Sequence, residues 1–160
     1  MDRQRAEATG DVVLTRIGQA VMLHRGGDRE EARNRLSELW AEVGPGGDAF
    51  HRCTLAHYIA GTQDDPADEL DWDLKALATA RGTPGERRRP ARRTARAVAA
   101  LLPSLHLSLA ADYAALGRRP EARTQLDRAR EAVAALADDA YVRGVRQAIE
   151  RLAARVAGDG

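Results

Sequence analysis

A chain of 160 residues, 44% of them apolar and 31% charged, can build one domain with a core and is too apolar for a disordered polymer. Aromatics make up only 4%, and an interior drawn mainly from Ala and Leu favours closely packed helices over a sandwich or barrel. The formal net charge of +1 argues against binding nucleic acid or a membrane surface through bulk charge, and the single cysteine, Cys53, excludes an internal disulfide or a multi-cysteine zinc site and suits a reducing cytoplasm.

Residues 1–10 carry no apolar period and are expected to be a disordered end, with neither a signal peptide nor a transmembrane span. From Asp11 a helical period begins, with Val13, Ile17, Ala20 and Val21 on one side, and "RGGD" breaks it. Asp28 is placed to cap the next helix, with Glu31 completing a capping box. That helix carries Ala32, Leu36, Leu39, Trp40 and Val43 until "GPGGD" stops it. A third helix is expected over about Asp48 to Gly61. Asp65, Pro66, Asp68 and Glu69 then form a strong helix start, with Leu70, Leu74 and Leu77 behind it.

"RGTPGERRRP" reads as an Arg-rich loop inserted at about 81–93. Helix resumes near Ala91, and Pro103 is expected to kink it or to start a new one. "SLHLSLAADYAALGRRPEARTQLDRAREAVAAL" supplies two further helices parted at "LGRRPEA", and a last helix from about Asp139 to Ala157 carries Val142, Val145, Ile149, Leu152 and Val156.

The chain repeats itself. Ala20, Gly27, Ala32, Leu36 and Leu39 share their offsets with Ala110, Gly117, Ala122, Leu126 and Ala129, while the middle pair of helices needs two extra residues around "QDD" to fall in step. With His106, Leu109, Ala110, Tyr113, Gly117, Ala122, Leu126 and Ala129 in these positions, the stretch resembles the tetratricopeptide repeat; 14–43 matches with Gln19 in a position usually Leu, and 49–79 matches less closely. "FHRCTLAHYIAGTQDDPADELDWDLKALATA" also resembles a group of repeat proteins from high-GC bacteria, which implies no activity. The resemblance implies an all-α fold: a short α-solenoid of about three helix pairs with an extra C-terminal helix, one domain over 11–158. The additional helical segment before Pro103 is expected to bend the array or cover one edge.

In this repeat class the first helix of each pair lines a concave groove. Carried onto this chain, the groove residues are Ile17, Val21, His24 and Arg25, then Phe50, Cys53 and His57, then Leu107 and Ala111. The alternative is that the inserted or the last helix fills that groove and makes it core. The function expected is a non-catalytic, cytoplasmic scaffold or adaptor for a protein or peptide, with no cofactor and no metal. A nucleic-acid-associated regulator using the Arg-rich segment 81–96, centred on Arg87, Arg88, Arg89, Arg92 and Arg93, is the alternative, although no aromatics are interleaved there. A third reading joins Cys53 and His57, four residues apart, with His24 or nearby acids into a metal or nucleophile site, but a fourth ligand and an oxyanion motif are missing. The acids of "DDPADELDWD" read as helix-start residues and a solvated face, Trp40 and Trp72 as packing residues, and the stripe of the last helix as a cap over the final pair in preference to a homodimer seam.

Overall fold

The computed structural model describes residues 2–82 and 92–158. They form seven helices: α1 (Asp2–Arg25), α2 (Arg29–Val43), α3 (Ala49–Gly61), α4 (Pro66–Arg81), α5 (Arg92–Ala115), α6 (Arg119–Ala134) and α7 (Ala140–Gly158), with no strand among the described residues. The all-α expectation stands. Each helix packs on its successor, and the odd-numbered helices also pack on one another, α1 on α3, α3 on α5 and α5 on α7.

Two elements depart from expectation. α1 begins at Asp2, so the helix extends through the stretch expected to be disordered; an apolar period marks the part of a helix that packs, and a helix can continue beyond it. No separate helix precedes Pro103 either. α5 is continuous from Arg92 to Ala115, with Pro103 buried inside it. Proline removes one backbone donor and crowds the preceding turn. The disturbed turn is tied from outside by Tyr141, whose hydroxyl donates to Ala100 O at 3.3 Å and lies 2.6 Å from Ser104 Oγ. Read whole, α5 is long and apolar enough to span a membrane by length and composition; here it packs on α3, α4, α6 and α7.

The two turns that match in sequence match in structure. Gly27 and Gly117 take φ of 94° and 73°, the left-handed region that glycine enters without strain. At each, the next residue donates five positions back: Asp28 N to Leu23 O at 2.9 Å, and Arg118 N to Tyr113 O at 2.8 Å. The α3–α4 turn lacks a left-handed glycine. There Thr62 Oγ1 and Gln63 Nε2 donate to Ile59 O at 2.7 and 3.2 Å, so side chains satisfy the helix end, and this different closure accommodates the two extra residues.

The caps follow the local chemistry. Asp48, Asp65 and Asp139 accept from the backbone N–H of His51, Ala67 and Val142. Asp28 accepts from Glu31 N at 3.4 Å, but the Glu31 carboxylate turns to Arg35 at 2.9 Å. Only half of the expected capping box forms, because the Asp28 N–H is already used in the glycine turn.

Small residues set the approach of the pairs. Ala20, Ala32, Ala110, Ala122 and Ala129 are all fully buried, and Leu36, Leu39, Leu126 and Val133 fill the space behind them. Trp40 of α2 and Trp72 of α4 meet edge to face with centroids 5.4 Å apart. Arg52 covers the Trp40 ring and Lys75 the Trp72 ring, so both indoles are packing residues.

Candidate functional site

The residues expected to line a groove separate into two groups. Val21, His24, Phe50 and Leu107 are half-buried, and Arg25 and Ala111 are exposed. Leu107 leans on the core shared by α5, α6 and α7. Ile17 and Cys53 are instead closed core, 3% and 0% exposed. Ile17 is closed by Leu36 and Leu39 of α2 and Leu55 and Ile59 of α3, and Cys53 by Ala76 of α4 together with Leu101, Leu102 and Leu105 of α5, on either side of Pro103. The segment expected as an insertion is therefore part of α5 and helps to bury Cys53.

Cys53 is inert by position. Its thiol donates to Ala76 O at 3.3 Å, and burial pushes it up to about 12, far from the thiolate that nucleophilic or metal chemistry needs. In the folded protein Cys53 is expected to resist iodoacetamide at pH 8, and to be alkylated at least about a hundredfold faster in guanidinium chloride. Mass spectrometry of the alkylated protein measures this; equal rates would show an accessible thiol.

His57 does not join Cys53 or His24. Its Nδ1 lies 3.4 Å from Asp73 Oδ1, and its imidazole is depressed by burial, against the opposing pull of Asp112 and Glu69. Glu69 and Asp73 stand one turn apart on α4, and Asp112 reaches them from α5. One ligand atom from each of the three carboxylates lies within 4.8 Å of the others. Asp73 and Asp112 are 1% and 3% exposed, and Glu69 is half-buried.

The expected solvated face is thus corrected for two of its six acids. Asp64 pairs with Arg29 at 2.9 Å, Asp65 caps α4, and Asp68 and Asp71 are exposed, whereas Glu69 and Asp73 turn inward. Burial, then Asp112, pushes Glu69 up to about 7, and burial pushes Asp73 to about 7. Burial, then Asp73, raises Asp112 to about 9. No described residue donates to Asp112 Oδ2, which is fully buried. Sequence reasoning missed this cluster because Asp112 sits between the repeat positions Ala110 and Tyr113, 39 residues from Asp73. The available signal was two acids four residues apart, Glu69 and Asp73, one of them between Leu70 and Leu77 on the apolar side of the helix.

Arg87, Arg88 and Arg89 lie outside the described residues. Arg92 and Arg93 are exposed on the first turn of α5, and Arg81 lines a shallow open hollow with His106, Arg128 and Glu131. His106 Nδ1 is held by Gln125 Oε1 at 2.8 Å. The stripe of the last helix is buried within the chain against α5 and α6.

No family model, curated protein or solved structure matches this chain.

Proposed function

We propose that the protein is a helical-repeat scaffold of the tetratricopeptide type that binds an extended or helical peptide of a partner protein. The observation that supports this reading is the packing of α1 on α3 and of α3 on α5, together with accessible apolar residues in equivalent positions on the first two of them, Leu14 and Phe50. Relative to Ala20, Ala56 and Ala110, Leu14 corresponds to Phe50, and Ile17 to Cys53 and Leu107. With Cys53 and Ile17 closed, the accessible apolar candidates are Leu14 and Val21, two turns apart on α1, and Phe50 on the first turn of α3, with His24 and Arg25 following Val21. An apolar strip with polar tips suits a short amphipathic segment, whose apolar side chains would be shielded while its charges stay in water.

A library of displayed random peptides, panned against the immobilised protein, tests this. Apolar peptides of micromolar affinity are expected, and Val21→Asp with Phe50→Asp is expected to weaken them at least about tenfold, since a carboxylate pressed against an apolar ligand is left without a partner. Unchanged helicity by circular dichroism verifies that the variant is folded. Failure to enrich any peptide, or equal affinity in the variant, overturns the proposal.

A further inference from the structure

We propose that Glu69, Asp73 and Asp112 form a site for one hard divalent cation between α4 and α5, oriented by His57 from α3. Three observations converge on it. The first is geometric: three carboxylates from two helices bring ligand atoms within 4.8 Å of one another, a spread that movement of the Glu69 side chain can close to the roughly 3 Å between adjacent oxygens around a cation bound at about 2.1 Å. Glu69 and Asp73 share a face of α4 by their one-turn spacing, and Asp112 meets them because α5 packs on α4.

The second is the isolation of Asp112 Oδ2. This atom is buried without any hydrogen-bond donor, in a side chain only 3% exposed, beside two other carboxylates. Carboxylates only accept when ionised, so once all three are charged they cannot satisfy one another. A buried, unpaired polar atom costs free energy, and a cation at the centre supplies all three acceptors at once.

The third is the neighbouring imidazole. His57 Nδ1, 3.4 Å from Asp73 Oδ1, is placed to donate to that oxygen and leave the other to the cation, the usual arrangement of groups that steer a metal ligand. The donors facing the centre are all oxygen, and the only thiol is turned away onto Ala76 O. This chemistry selects Mn2+, Mg2+ or Ca2+ over thiophilic metals. Half-buried Glu69 gives the ion its way in from solvent, and water can complete the coordination there.

Isothermal titration of the chelator-stripped full chain with MnCl2, repeated with MgCl2 and CaCl2, tests the site. One saturable site is expected for at least one of these ions. Asp112→Asn is expected to weaken it at least about tenfold, and His57→Ala by about 10–100-fold, while Asp71→Asn, an exposed acid on the same helix, leaves it unchanged. Asn preserves the shape of Asp112, and circular dichroism verifies that each variant is folded. The manganese signal in electron paramagnetic resonance should lose its free-ion sextet on adding the wild type and keep it on adding Asp112→Asn. No saturable binding of any of the three ions, or binding that Asp112→Asn leaves intact, overturns the proposal.

Discussion

Leu109→Ala is expected to destabilise the protein by about 2–5 kcal/mol, among the largest effects any single truncation in this chain should have. Leu109 is completely buried. From α5 it meets Leu70 and Leu77 of α4, with Leu102 and Tyr113 beside it, so it sits where the second pair of helices joins the third. Removing the side chain forfeits its transfer free energy and leaves a cavity that α4 and α5 cannot collapse, because Ala76 and Leu105 already fix their separation around Cys53. Urea unfolding followed by circular dichroism measures the change as a lower midpoint at constant slope. In a domain of this size the melting temperature should fall on the order of 10 °C. Met22→Ala is the control: Met22 is 72% exposed and its loss should stay within about 0.5 kcal/mol. Equal effects at the two positions would mean that Leu109 does not hold the pairs together.

Much of the architecture was legible because it rests on local rules. Gly27 and Gly117 end their helices in the same left-handed turn with the same backbone bonds, and a glycine followed by Asp28 or by Pro120 signals such a boundary in any sequence. The inward alanines were legible for the same reason: Ala20, Ala32, Ala110 and Ala122 recur at fixed offsets and all have no exposure. Pro103 was the misleading signal. Proline usually ends a helix, but here a residue from another helix, Tyr141, bonds across the disturbed turn. That contact joins positions 41 and 37 residues apart, which no local pattern reports. The consequence reached Cys53, expected to be accessible, which the extended α5 helps to bury.

The acids were legible in number and misassigned in direction. Asp65 and Asp68 follow the rule that carboxylates favour a helix start, whereas Asp73 lies two turns in, where its place between buried Leu70 and Leu77 turns it inward. Their meeting with Asp112 depends on how α5 packs against α4, and so on packing between elements distant in sequence. A local reading assigns such carboxylates to solvent by base rate; the structure buries them together, and that alone changes their chemistry.

Metal-free protein is therefore expected to lose stability as pH rises from about 4 to about 9. Both Asp73, at about 7, and Asp112, at about 9, hold their protons more tightly in the folded chain than in the unfolded one. The folded state binds more protons across that range, so their favourable contribution is complete below about pH 4 and disappears as pH climbs through these values. The groups facing them are Glu69 from α4 and His57 from α3. Glu69 is raised too and acts in the same sense; the depressed His57 acts in the opposite sense below about pH 6.5, one group against three, and is neutral in both states above it. Keeping Asp73 ionised in this site costs on the order of 4 kcal/mol relative to the unfolded chain. Asp73→Asn removes that charge while its amide can donate to Asp112 and its carbonyl still accepts from His57. In chelator at pH 8 the variant should be more stable than wild type by about 1–3 kcal/mol, the buried amide retaining part of the penalty. At pH 4, where Asp73 is already neutral, the difference should vanish. Saturating Mn2+ should reverse the order at pH 8, since the ion stabilises only the chain that binds it. Urea titrations at the two pH values, with and without the ion, measure all of these differences. A wild type more stable than Asp73→Asn at pH 8 in chelator would show that the carboxylates are not held together uncompensated.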